Sequence, residues 1–593
     1  MGIQRFGLRM RDYATKTTLG TITKSSSSAG QQQQTPPQKN IAIIDGPGLT
    51  HYIYYNLCDS SSSSSSTTTT SSAITYDSCA KATIAWLDKL IEYGFKIDSI
   101  FFDGALPAAK KDVRIDRLQN YIARLQAFKQ SSGTSLSSLS GSAKKSLPPP
   151  PFLVFAVVEE LVRSTQYANL TYVVPGEADP YCVAAAQAIP EDDDSKITIF
   201  SDDADLIVYE ACKRTRVVPF RDLSEAEVGG MMVLQGDEYR PTEIIERRKS
   251  LSGSSLIKPA FFMSIDYYCS LEKASRLSTG ADLDDRDEFK AFARQFETVE
   301  EVQMLARVRQ DPDLKKALTA RDSRISELFH QAKSHARGET TGPIRAYLPF
   351  VMDDPTRATA LGVGLDIRLL GYSILLQSQQ DTNVQEYRRS GARISATLLD
   401  LLTGDELASA TSRLATSVSS TLEETALELR LRRDDAWRYL ILQHVVAHFR
   451  SEGVSMPTAD EAVHIVLNRE PRKWQVLHLA AQYQAAYYSF RMLQQLLADV
   501  ATSDGAQATL RRHLQSLPRI AVFFNDGEGS DRRHEQQMWR EALRVLFLSF
   551  VEEEHEDQGD RKQAKSRKRA KKAHQKQADG AGLAKNPFAM LVD

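Results

Sequence analysis

Six acids, Asp45, Asp103, Glu177, Asp179, Asp203 and Asp205, are the residues of this chain whose type and spacing could do chemistry. Each follows closely on a short apolar run: Ile41 to Ile44, Ile100 to Phe102, Thr171 to Val174 and Ile197 to Phe200. A single Asp after a strand is ordinarily a turn or a helix cap. Four runs that all end in acids, two of them as acid-x-acid pairs, bring like charges together, and these repel unless cations neutralise them. An oxygen-only donor set with no His or Cys nearby selects hard ions, Mg²⁺ or Mn²⁺, over zinc. Two such ions can activate a water and stabilise the leaving oxygen, which is the chemistry of phosphodiester hydrolysis. Beyond Asp103 come Lys110, Lys111, Arg114 and Arg117, and the spacing 110, 114, 117 puts three cations on one helix face. Such a face can be plain solvated surface. Right after an acidic cluster it suits phosphate contact, with Lys110 and Arg117 as the clamps.

These acids need elements to hold them. Apolar runs alternating with helical stretches such as Ala80 to Tyr93 and Tyr181 to Ala188 predict βαβ units and an α/β core with a parallel sheet. The carboxyl ends of its strands share one edge, so the acids converge on one cleft. Pro180 suits a first helical turn, whose dipole favours ionised Glu177 and Asp179. Leu153 to Val158 and Ile520 to Phe524 read as buried strands or short core pieces. Low-complexity segments at 25–38, 60–72 and 131–151 cannot bury enough apolar surface to order themselves and are expected to be mobile loops. After Asp266 the pattern turns helical. A Thr421-x-x-Glu424 capping box opens a predicted helix to Phe449, and Trp474, Leu477, Ala481, Ala485, Tyr488, Met492 and Leu496 form a stripe of core positions. The expected organisation is a core over 1–275, a helical connector over 276–344, a separate and mostly α-helical domain over 345–550, and an acidic, then basic, disordered tail over 551–593.

A chain of 593 residues is too long for one core, and its 42% apolar and 25% charged residues are globular on average. No apolar run nears the roughly 20 residues of a membrane span, so no membrane partner is expected. Five cysteines, at 58, 79, 182, 212 and 269, show no Cys-x-x-Cys spacing, which indicates neither a disulfide framework nor a zinc site. His444 and His448 share a helix face without an acid between them and read as core or surface histidines. From Arg561 to Lys576 stand nine Lys or Arg and no acid. That run is either a solvated end or a nuclear-import or nucleic-acid patch built on Arg561, Lys562, Arg567, Lys568, Arg569, Lys571 and Lys572. Nuclear localisation is expected, with a basic mitochondrial-type presequence over Met1 to Lys24 as the alternative.

In order, Asp45-Gly46, Phe102-Asp103-Gly104 with Lys110 and Arg117, Gly176-Glu177-Ala178-Asp179 and Asp203-Ala204-Asp205-Leu206 resemble the acidic motifs of the flap endonuclease and xeroderma pigmentosum group G nucleases, a PIN-like superfamily. Ser264-Ile265-Asp266-Tyr267 resembles the seventh-acid motif, and Met1-Gly2-Ile3 the family's N-terminus. Leu348-Pro349-Phe350, Asp354-Pro355-Thr356-Arg357-Ala358 and Asp366 to Tyr372 resemble the Asteroid-type branch. The resemblance implies a PIN-like 5′-nuclease core and a nuclear DNA-repair endonuclease. Its two Mg²⁺ or Mn²⁺ ions would sit on Asp45, Asp103, Glu177, Asp179, Asp203, Asp205 and Asp266. Lys110 and Arg117 would act as catalytic gateway residues, with Lys111, Arg114 and Gly2 near nucleic acid. Branched or single-strand-containing DNA, or else RNA, would be the substrate, and 345–550 a surface for protein partners. The chain departs from the family in lacking a Gly-rich hairpin turn after Asp266. Its Ser131 to Pro151 stretch also falls where gateway helices would continue. A scaffold that kept the fold and acts through its helical half and tail is the competing reading. An aspartyl phosphatase would need Asp-x-Asp where Asp45-Gly46-Pro47 stands.

Overall fold

The computed structural model describes residues 3, 5–22, 40–63, 74–131, 145–190, 195–210, 213–247, 255–279, 282–379, 382–469, 471, 473–498, 505–525 and 533–547. The low-complexity segment at 25–38, most of those at 60–72 and 131–151, Gly2, Cys212 and the tail with Arg561 to Lys572 lie outside the described residues.

A helix, α1 (Phe6–Met10), and a strand, β1 (Thr15–Ile22), precede the main sheet. That sheet is built from β2 (Asn40–Asp45), β3 (Phe95–Phe102), β4 (Thr171–Val173), β5 (Lys196–Phe200) and β6 (Thr215–Val218). Its order is β4-β3-β2-β5-β6, and every pairing is parallel. Strand order reverses between β2 and β5, which opens a crevice at their carboxyl ends. Side chains alternate across the sheet as strand geometry requires. Ala42, Ile44, Ile100 and Phe102 face one core cluster, while Ile43, Phe101, Ile197 and Ile199 face the other. Burial on both faces explains why these strands read as unbroken apolar runs.

Helices α2 (Gly46–Ser63), α3 (Tyr76–Glu92), α4 (Lys111–Ser131) and α5 (Leu153–Leu161) follow in the first half, with α6 (Ala178–Gln187), α7 (Ile257–Ile265) and α8 (Leu271–Thr279). Leu153 to Val158 is therefore helix, not strand, as is Ile520–Phe523. A short apolar run buried on all sides fits either element, and here the proline run leads straight into a helix start. A second sheet, β1-β8-β7, joins β1 to the hairpin of β7 (Ser224–Val228) and β8 (Met231–Glu238), which turns at Gly229 and Gly230, both with positive φ.

Beyond residue 276 the chain is mostly helical, with α9 (Ser323–Ala336), α10 (Leu365–Leu375), α11 (Gly404–Ser419), α12 (Arg433–Ser451) and α13 (Trp474–Ala498). The stripe from Leu477 to Leu496 is buried on α13. Two features differ from expectation. A three-stranded sheet, with β9 (Ile344–Tyr347), β10 (Val384–Ser390) and β11 (Arg393–Leu399), sits inside the helical half. The predicted helix start at Thr421 is instead a π-helical turn, Ser420–Thr425, that continues α11. Thr421 bonds Gln443 across the fold, and the break comes at Arg430 with φ 53°. A tertiary hydrogen bond has displaced the local cap.

One core cluster runs through both halves. Tyr76 and Phe152 of the first half meet Tyr487, Tyr488 and Phe524 of the second, and Phe152 stacks on Tyr488 at 5.3 Å. Glu159 accepts from the Ile520 amide at 2.9 Å and pairs with Arg491, while Glu160 pairs with Arg519.

Candidate active site

Asp45 is the last residue of β2. Its carboxylate accepts from the Ser201 hydroxyl at 2.7 Å and the Gly48 amide at 3.1 Å. Burial, and then the charges of Asp103 and Asp203, push its pKa up to about 7. Gly48 is required here, since a Cβ would stand 2.4 Å from Asp45 Oδ2.

Asp103 follows β3 and accepts from the Ala178 amide at 2.8 Å, so it caps the start of α6. Burial first, and Glu177 among its neighbours, raise it to about 6. The loops after β3 and β4 are zipped together by Gly104 N to Gly176 O at 2.9 Å, and a Cβ on Gly104 would lie 1.9 Å from Val174 O. Glu177 is the N-cap residue of α6 and is bridged by Lys110 at 2.9 Å. Asp179 lies in the first turn of that helix. Burial raises its pKa well above the usual carboxylate range, and the charges of Asp203, Asp45 and Asp103 add to this.

Asp203 accepts from the Asp205 amide at 2.9 Å after β5. Asp205 accepts from the Ile3 amide at 3.0 and 3.2 Å, and burial followed by Asp203 raises it to about 7. The N-terminal segment thus reaches the acidic cluster despite the long Ser/Gln stretch that follows it in sequence. Arg9 extends the tether by donating to the carbonyls of Met263, Asp266 and Cys269 at 3.0 to 3.3 Å.

Asp45, Asp103, Glu177, Asp179 and Asp203 line one cavity of about 420 Å³ together with Arg117 and Arg114. Asp205 opens on an adjoining depression with Ile3, Arg5 and Arg221. Asp266 stays at the surface, 42% exposed, where the bond from Lys273 and the Tyr268 amide hold its pKa low. Arg114 is engaged by Glu327 at 2.8 Å and lies 4.1 Å over the Tyr347 ring. Lys111 lies 5.7 Å over Tyr387. Both contacts belong to the way α4 is clamped on the second half. Gln119 bonds Ile394 and Ala392, Tyr121 packs on Phe350, and Lys129 pairs with Asp354.

Composition and spacing passed over His51. It lines the cavity from α2, its Nδ1 is buried without a hydrogen-bond partner, and burial followed by the Arg117 charge lowers its pKa to about 4. A lone histidine in a helix carries no signal in sequence that would mark it. His444, by contrast, contacts Val363 O at 2.9 Å and packs edge-on against Phe490, a structural role. Cys58, Cys79, Cys182 and Cys269 are buried, and none of the four forms a disulfide.

Among the described residues no three Asp, Glu, His or Cys side chains close around one point as a finished metal cage. The donor set still suits a hard cation, because five carboxylates share one partly buried cavity and several are held towards their protonated forms by burial and then by one another's charge.

With this geometry in place, a family match becomes informative. Residues 149–401 match the family described as XPG domain containing. This stretch of the chain is thus similar to XPG-type domains. The matched span includes Glu177, Asp179, Asp203, Asp205 and Asp266, and it runs through the second half to the end of β11. No curated protein matches the chain. No described helix is long and apolar enough to cross a membrane.

Proposed function

We propose that this chain is a metal-dependent, structure-selective nuclease that hydrolyses phosphodiester bonds in branched or single-strand-containing DNA, or in RNA of similar shape. The observation that carries this reading is the convergence of Asp45, Asp103, Glu177, Asp179 and Asp203 from four strand ends onto one cavity with Arg117. Like charges so arranged favour protonation or cation binding, and at neutral pH cations are the economical solution.

Mg²⁺ or Mn²⁺ ions bound there would supply activation of the attacking water and neutralise charge on the leaving oxygen. Asp45, Asp103, Glu177, Asp179 and Asp203 would hold the ions, and Asp205 would join them from the adjoining depression. Arg117 would grip the scissile phosphate bidentately, and Lys110, held beside it by Glu177, would act as a point charge. Asp266 would act only after its turn closes on substrate, since Lys273 engages it here. We assign the chain to the Asteroid-type branch on Leu348 to Ala358 and Asp366 to Tyr372, and the nucleus to it on the basic run from Arg561 to Lys572.

The scaffold reading draws on the absence of a closed cage among the described residues. Incubating the full chain with end-labelled flap, fork, single-stranded and duplex DNA and matching RNAs, in Mg²⁺ and in Mn²⁺, separates the two. Cleavage that needs metal and disappears in Asp203→Ala is expected. A folded protein that binds these substrates and cuts none would sink the nuclease reading in favour of the scaffold.

A further inference from the structure

The cavity that holds the candidate acids has a second wall, made by residues outside the α/β core. Arg321 lines it from the loop that leads into α9, Ser323 and Arg324 from the first turn of α9, and Phe350 from the segment after β9. Four arginines, 114, 117, 321 and 324, share this cavity with only two acids that are not candidate ligands, Asp322 and Glu327. Those two acids are already engaged. Glu327 takes Arg114, and Asp322 caps α9 by accepting from the Arg324 amide at 2.9 Å.

Arg324 pairs with both carboxylate oxygens of Asp322 at 3.3 and 3.4 Å, and a third of its side chain stays exposed. The Arg321 guanidinium carbon lies over the Phe329 ring, 4.3 Å from its centre. Two arginines of this second wall, Arg321 and Arg324, thus line the same cavity of about 420 Å³ as the candidate acids. That volume lies in the range of small-ligand sites and suits a nucleotide or two, not a duplex. Guanidinium groups held in place by an aromatic ring and a helix start are suited to bidentate phosphate recognition.

We propose that Arg321 and Arg324 form a phosphate-binding subsite of the candidate active site, gripping the backbone of the nucleotide next to the scissile bond. The inference rests on the nuclease reading for what happens at the acids, but not for binding. Residues 276–344 then carry part of substrate recognition, and Arg321 and Arg324 are positioning residues.

The test uses the full-length chain and short fluorescein-labelled oligothymidylate. Binding is followed by anisotropy in Ca²⁺ over a series of salt concentrations, and cleavage is followed in Mg²⁺, for wild type, Arg321→Gln, Arg324→Gln, Arg324→Lys and the double Gln variant. Each Gln substitution is expected to reduce the slope of log affinity against log salt by about 0.7, the value for one phosphate contact on a single strand. The double variant should bind about tenfold more weakly, as loss of a charge-assisted bond implies, and raise KM with kcat within about twofold. Arg324→Lys should restore the slope, which a merely structural role would not predict. Variants that melt like wild type and keep its slope and affinity would overturn the subsite while leaving the nuclease reading intact. Arginine-dependent binding without cleavage in wild type would uphold the subsite and overturn the nuclease reading, and absence of both binding and cleavage would overturn both.

Discussion

At the scale of single residues, the acidic cavity stores electrostatic conflict. The ordinary Asp pKa is 3.8, whereas burial and neighbouring carboxylates hold Asp45 and Asp205 near 7. Without metal, the folded chain keeps protons that the unfolded chain releases. Stability from these groups is therefore present at pH below about 4 and is lost as pH rises towards about 7. Cations compete with the same protons, so the rise in melting temperature caused by Mg²⁺ should grow steadily from pH 5 to pH 8. A Mg²⁺ increment independent of pH, read by differential scanning fluorimetry, would contradict metal binding at these acids. Asp179→Asn removes one of the repelling charges. It should raise the melting temperature in EDTA by several degrees, abolish cleavage and blunt the Mg²⁺ increment, a trade of stability against function.

Individual elements are held by buried ion pairs whose loss is costly. Arg389 on β10 donates to Asp353 at 2.6 and 2.9 Å and to the carbonyls of Pro355, Arg357 and Gly391. Both partners are buried. This clip fixes the loop after β9, which in turn presents Phe350 and Asp354 to α4. Arg389→Ala leaves Asp353 buried and unpaired, so it should cost about 3–5 kcal/mol in urea unfolding, because removing one partner of a buried pair exposes the full desolvation penalty of the other. A loss below about 1 kcal/mol would mean that the loop holds itself.

For the whole molecule, the position of the domain boundary has consequences. The expected division at 275 cuts through a cluster in which Tyr76, Phe152, Tyr488 and Phe524 pack together. Separating the halves would expose that surface, and large apolar patches of this kind drive association. A fragment ending at residue 275 should therefore aggregate or bind hydrophobic dyes, while the full chain unfolds as one unit. Two independent melting transitions in the full chain would show instead that the halves are autonomous.

The four strands with acids at their ends are legible in the chain alone, because parallel strands buried on both faces must be apolar throughout and a break into Asp or Glu marks where burial stops. So is the long helix α13, whose apolar spacing is periodic. Local signals failed where distant contacts outweighed them. Thr421 found Gln443 instead of a helix cap, the mostly polar strand β10 carries no apolar alternation yet pairs with β11, and Leu153 to Val158 formed a helix packed on α2 and α3. That Arg114 serves Glu327, that Asp266 stays outside the cavity, and that Arg321 and Arg324 line it with the acids all depend on contacts between distant parts of the chain. Charge type and helical spacing are written in the chain. Which charge meets which is set by how the second half folds back over α4.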